Sequence, residues 1–154
     1  MRFIILLLIS LGTVNAKLSV PNIFGDNMVI QRDSPIHVWG EASPEKNVRV
    51  ILENRDLTVR SDINGKWSLQ LDALQGSNQS KSMSISSEGE TIEFDNIMIG
   101  DVWILGGQSN MEDALESIYH GDTEVISANF PSIRLITIPQ KAENEPQKDI
   151  ERIN

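Results

Sequence analysis

Residues 100–112 read Gly100-Asp101-Val102-Trp103-Ile104-Leu105-Gly106-Gly107-Gln108-Ser109-Asn110-Met111-Glu112, and they separate two kinds of pattern. Val102 to Leu105 is a continuous apolar run, the signature of a strand buried on both faces in a parallel sheet covered by helices. It ends on a Gly-Gly turn, and residues 112–119 have helical composition. Residues 133–138, Ile-Arg-Leu-Ile-Thr-Ile, form a second apolar run after Pro131. Strand, glycine turn, helix and strand make the opening of an α/β unit. Only one such unit is present, followed by a polar tail over 139–154, so this α/β part reads as truncated.

Upstream the pattern alternates. Short β-branched or alternating runs fall at 28–31, 36–39, 48–52, 57–61, 66–71, 82–86 and 91–94, with turn residues between them. That spacing predicts an antiparallel β-sandwich over 17–99. In 66–71, Trp67, Leu69 and Leu71 alternate with Lys66, Ser68 and Gln70, so one face is buried. Asp62-Ile63-Asn64-Gly65 supplies residues that tolerate positive φ and is expected to reverse the chain between 57–61 and 66–71. The polar stretch 75–82 reads as a loop.

Composition narrows the function. The 154 residues carry 13 Lys and Arg against 22 Asp and Glu, a formal charge of −9. Phosphate recognition needs clustered cations, so no nucleic-acid partner is expected. No polybasic segment draws the chain to an anionic membrane. Cysteine is absent, which removes disulfides, thiolate metal sites and thiol nucleophiles. No cofactor and no metal site is expected. Residues 1–16 combine Arg2, an apolar run over 3–11 and the small residues of Val14-Asn15-Ala16, which reads as a secretory signal peptide. The run is too short to span a bilayer, which takes about 20 residues. The mature chain is expected to start near Lys17, in the periplasm or outside the cell, with no membrane attachment after cleavage.

Ser109 carries the candidate chemistry. A serine on a tight glycine turn at the end of a buried strand is presented with its backbone N–H free, an arrangement suited to acyl transfer. The block is not a G-x-S-x-G elbow, because Met111 stands where the second glycine belongs. It is not a phosphate loop either, since no Gly-Lys-Ser/Thr follows. On pattern alone the simpler reading is a plain helix start, with Ser109 or Asn110 capping residues 112–119. Gln108 and Asn110 flank Ser109 as candidate residues of the same site.

The block 100–112 resembles the nucleophile block of the sialate O-acetylesterase family, a branch of the SGNH-type esterases. Phe24-Gly25-Asp26-Asn27-Met28-Val29-Ile30-Gln31-Arg32, Val38-Trp39-Gly40 and Asn64-Gly65-Lys66-Trp67 are similar to that family's N-terminal β-domain, as is the lead-in 97–99. Pro131-Ser132-Ile133-Arg134-Leu135 is similar to its next strand. The resemblance implies a serine esterase that removes O-acetyl groups from sialic acid or a related acetylated sugar. It implies Ser109 as nucleophile, with its N–H as one oxyanion donor. It also implies a Gly donor, an Asn donor and an Asp-x-x-His base from later blocks that these 154 residues do not contain. The family's Trp after Met-Glu is Asp113 here. On this reading residues 100–154 are the first part of an incomplete SGNH-like domain, and the chain by itself is an inactive or incomplete fragment.

Other candidates are weaker. Glu112, Glu116 and His120 would share a face if one helix ran through all three, and a solvated acidic face with His120 near a helix C-terminus is the simpler reading. His37 is expected at a half-exposed strand position, and Asp62-x-Asn64-Gly65 as a turn rather than a calcium loop. Trp39, Trp67 and Trp103 are expected to fill the core, although tryptophans also stack on sugars. Two further function classes stand beside the esterase: a non-catalytic secreted β-sandwich module binding carbohydrate or protein, with Ser109 as a cap, and a truncated product without activity.

Overall fold

The computed structural model describes residues 17–107, 113–138, 144–147 and 149–150. The chain is mostly strand with little helix. Among the described residues seven strands form in order: β1 Val29–Gln31, β2 Ile36–Glu41, β3 Asn47–Leu52, β4 Arg55–Arg60, β5 Lys66–Leu71, β6 Ser77–Ser87 and β7 Glu90–Gly100. They make a five-stranded sheet of order β1-β7-β6-β3-β4 and a two-stranded sheet β2-β5.

Alternation explains the core. β2 turns Ile36 and Val38 inward and β5 turns Trp67 and Leu71 inward. Val48, Val50 and Leu52 of β3, with Met83 and Ile85 of β6, come from the larger sheet, and all belong to one buried cluster. Trp67 is the tryptophan that fills this core, as expected, though its buried indole N–H finds no acceptor among the described residues. Trp39 and Trp103 depart from expectation, at 38% and 81% exposed.

Three expectations change. The first is strand direction. β1 pairs with β7 in parallel, Val29 with Met98, Ile30 with Ile99 and Gln31 with Gly100, so the 17–99 region is not wholly antiparallel. Alternation reports which face is buried and says nothing of direction. Secondly, the turn at 62–65 does not close a hairpin. β4 pairs with β3 and β5 pairs with β2, so the turn hands the chain from one sheet to the other. Ser61 fixes that corner: its Oγ donates to the Ser43 carbonyl at 2.6 Å and accepts from the Lys46 N–H at 3.0 Å. Asp62 Oδ1 then accepts the N–H groups of Asn64 and Lys66, both at 2.8 Å. Thirdly, the polar stretch 75–82 is largely strand. β6 begins at Ser77 and pairs with β7 through two irregularities of register.

The second irregularity matters most. Lys81 lies opposite Ile97, whereas Met83 lies opposite Phe94, so β7 carries one extra residue. Asn96 in that interval has φ 56°, the left-handed region that asparagine tolerates. Beyond it Ile97, Met98 and Ile99 are all buried. The strand therefore continues past the stretch that alternation marked.

The α/β unit expected after Gly100 does not form among the described residues. Residues 102–105 and 133–138 are in no strand, and Val102, Trp103, Ile104 and Leu105 are 50–95% exposed. A continuous apolar run becomes a strand when partners pair its edges and cover both faces, and no described element does so here. Of the helix expected over 112–119, the described residues 113–119 show only a single 3-10 turn, Leu115–Ser117, between extended residues Ala114 and Ile118. A short helix α1, Gly121–Ser127, follows.

Gly65 tests the corner. It has φ +82°, and a Cβ there would sit 2.3 Å from the Ala42 carbonyl oxygen, a backbone atom that cannot swing away. Gly65→Ala is expected to destabilise the fold by about 2–3 kcal/mol, read as a lower denaturant midpoint with an unchanged slope.

Candidate functional site

Ser109, Gln108 and Asn110 lie outside the described residues, as does Glu112. The structure does describe the approach to them, and three of the sequence motifs meet there. Phe24 to Arg32 runs along the second half of β7 and is tied to it at both ends of that contact. At the near end, Asp26 Oδ1 accepts the Asp95 N–H at 2.8 Å, and the Asn27 N–H donates to the Asp95 carbonyl at 3.0 Å. At the far end, the Arg32 N–H donates to the Gly100 carbonyl at 2.9 Å. Arg32 Nε donates to Asp101 Oδ1 at 2.8 Å, and Gln31 Oε1 accepts the Val102 N–H at 2.9 Å. The chain therefore leaves the sheet toward Gly106 and Gly107 with two successive residues pinned. Gly106 has open space around it.

Charge reinforces this exit. The hydrogen bond and the negative charge of Asp101 raise the Arg32 guanidinium further above its already high range, so it is a cation at any working pH. The pair is half-exposed, and its use is positional rather than a large source of stability.

Arg134, from the 131–135 motif, reaches the other end of the same clamp. Its guanidinium donates to Asn27 Oδ1 at 3.3 Å and to Asn96 Oδ1 at 3.2 Å, while Asn96 Nδ2 donates to Asn27 Oδ1 at 2.7 Å. Both asparagines have positive φ, 65° and 56°. Each follows an aspartate, in Asp26-Asn27 and Asp95-Asn96. Sequence reasoning missed this cluster. The repeated Asp-Asn dipeptide was the available signal, but nothing in it shows that a turn and a strand bulge 69 residues apart bond to one another.

The remaining candidates fall as follows. His120 has φ 59° and precedes α1, so it stands at a helix N-terminus and not, as expected, near a C-terminus; its ring lies 4.0 Å from that of Tyr119. His37 is exposed on β2 and stacks on Trp39 at 5.0 Å, with Phe24 edge-on to Trp39 at the same distance. Asp62, Asn64 and Gly65 form the turn described above. No three His, Asp or Glu side chains gather into a metal-binding group among the described residues.

No family model matches the chain. Curated relatives do. The sialate O-acetylesterase of Mus musculus is 24% identical over 138 residues, covering 82% of this chain and 26% of that protein. The sialate O-acetylesterase of Homo sapiens is 25% identical over 132 residues, covering 78% of this chain and 25% of that protein. Among solved structures, a carbohydrate acetylesterase from Xanthomonas citri matches with a TM-score of 0.82 and 30% identity, over 86% of this chain and 30% of that one. The chain thus spans about a quarter of the length of the curated relatives it matches.

The clamp has a direct test. Arg134→Ala removes two charge-assisted hydrogen bonds, worth about 1–2 kcal/mol locally. Amide exchange at Ile133, whose N–H bonds to the Phe130 carbonyl, is expected to speed up roughly tenfold, while β3 and β6 keep their protection.

Proposed function

We propose, from the sialate O-acetylesterase-like character of this chain, that it is the N-terminal part of a secreted serine esterase removing O-acetyl groups from sialic acid or a related acetylated sugar. Residues 17–99 make up its β-sandwich domain and residues 100–154 open its SGNH-like α/β domain. Two likenesses support the reading together: relatives named sialate O-acetylesterase in sequence, and a carbohydrate acetylesterase in fold. The bare apolar run 102–105 suits a strand that elements from a longer chain would cover.

Ser109 is the nucleophile in this reading. Its hydroxyl attacks the acetyl carbonyl, its proton passes to a base, and its own N–H holds one position of the oxyanion. The base returns that proton to the sugar oxygen as it leaves; water, deprotonated by the same base, then hydrolyses the acetyl-serine to acetate and free serine, and no cofactor is required. The clamp of Gln31 and Arg32 on residues 100–102 sets the direction from which the Gly-Gly turn departs. It acts on Ser109 by positioning alone. The base belongs to the family's late Asp-x-x-His block, so this chain by itself is expected to show at most trace turnover. Removal of residues 1–16 places the protein in the periplasm or outside the cell.

One observation favours a second reading. Trp39 lies half-exposed on β2 beside His37, with Ser68 and Gln70 of β5 opposite them, a setting in which an indole can stack on a sugar ring. A non-catalytic carbohydrate-binding module would use this face.

Turnover of a chromogenic acetyl ester separates the two. A version of the chain extended through the family's Gly, Asn and Asp-x-x-His blocks should be active. Ser109→Ala in it should lose at least about 10³-fold, with a stability change near 1 kcal/mol or less. A serine-reactive phosphonate should label Ser109 in the extended form. Unchanged turnover in the alanine variant would make Ser109 a helix cap, and full turnover by the 154-residue chain would reveal a local base.

A further inference from the structure

The start of the described chain lies beside an acidic cavity. Ser19 exchanges two 2.9 Å backbone hydrogen bonds with Glu41 of β2. Gly40 permits the approach, because a Cβ there would sit 2.1 Å from the Ser19 carbonyl oxygen. Leu18 is buried, and its N–H donates to Glu90 Oε2 at 2.7 Å. The cavity, about 200 Å³, is walled by Lys17, Leu18, Ser43, Ser87, Glu88 and Glu90. Glu88 and Gly89, with φ 48° and 86°, form the tight turn that joins β6 to β7 and brings the two carboxylates there.

The two carboxylates are not equivalent. Glu88 pairs with Lys46 at 2.7 Å, and that hydrogen bond holds its carboxyl below the ordinary range. Glu90 makes no ion pair among the described residues; it accepts only the neutral Leu18 N–H. One residue back, the Lys17 nitrogen is at most about 3.7 Å from the Leu18 nitrogen by bond geometry, and so no more than about 6.4 Å from the carboxylate oxygen. In the precursor that nitrogen is an uncharged amide. Hydrolysis of the Ala16–Lys17 bond gives Ala16 a carboxylate and Lys17 an ammonium, with water supplying the oxygen to the carboxylate and both of its protons to the nitrogen.

We propose that this cavity is the seat of the Lys17 α-ammonium, so that removal of residues 1–16 creates a cation which locks the N-terminal segment onto Glu90. The processed chain is thereby tied down between β2 and the β6–β7 turn, and the precursor is not. Around the seat stand the Lys17 side chain, Glu88 with Lys46, and, across the Ser19 bridge, Glu41 with Lys66 opposite it on β5.

The sign with pH follows. A neighbouring carboxylate raises the amine's pKa in the folded state above its free value of about 7.7–8.0. The contribution is therefore complete below that value and is lost as pH rises through the folded one. The test compares chains ending at Asn154 that begin at Lys17 or at a Gly-Ser placed before Lys17, each with Glu90 or Glu90→Gln. Glutamine keeps an acceptor for the Leu18 N–H, so the variant is expected to fold. At pH 6 the Lys17-start chain should melt about 2–4 °C above the Gly-Ser form. The gap should close by about pH 10 and be absent in Glu90→Gln. An NMR titration of the Lys17 amine should show its midpoint above the free value with Glu90 and back at it with glutamine. Equal melting at pH 6, a gap that survives high pH or Glu90→Gln, or a secreted product that does not begin at Lys17 would overturn the proposal.

Discussion

The parallel pairing of β1 along the end of β7 is the constraint on which the rest depends. It covers only three residue pairs, yet it forms one edge of the larger sheet and fixes where the chain departs for the candidate nucleophile block. A parallel contact this short needs anchors, because its bonds are slanted and few. Here Asp26 and Asn27 hold one end through Asp95, and Gln31 and Arg32 hold the other through Gly100, Asp101 and Val102. One nine-residue segment thus serves both as a strand and as the bracket for the segment that carries Ser109.

The extra residue in β7 makes this possible. With the left-handed Asn96 setting its phase, the strand turns Ile97 and Ile99 into the shared core, while Met98, on the opposite face, is covered beside Arg134. The Asn96 side chain binds Asn27 and Arg134. Bulges commonly re-aim side chains beside functional segments, and this one gathers three parts of the chain that are far apart in sequence.

The electrostatics are modest and local. Most ion pairs are exposed, so they position groups more than they stabilise the fold. Stability rests on the apolar cluster shared by the two sheets. Lys81, paired with Glu53 at 3.3 Å and the best shielded of the paired cations, lies where β6 and β7 are out of regular register.

Much of this was legible in the residues themselves. Alternation in 36–39, 48–52 and 66–71 identified the strands and their inward faces, since the two-residue period of a strand is a local property. Asp62 to Gly65 declared a turn by its tolerance of positive φ. The block around Ser109 and the motif 24–32 carried the likeness to the sialate O-acetylesterases. The pairing of strands was not legible. Alternation says which side of a strand is buried and leaves its neighbour and direction open, so the parallel β1–β7 contact and the passage from β4 into the other sheet appeared only in three dimensions. The same limit applied to 102–105 and 133–138, where an apolar run records a need for cover on both faces. Tertiary structure decides whether that cover is present, and the described residues do not provide it.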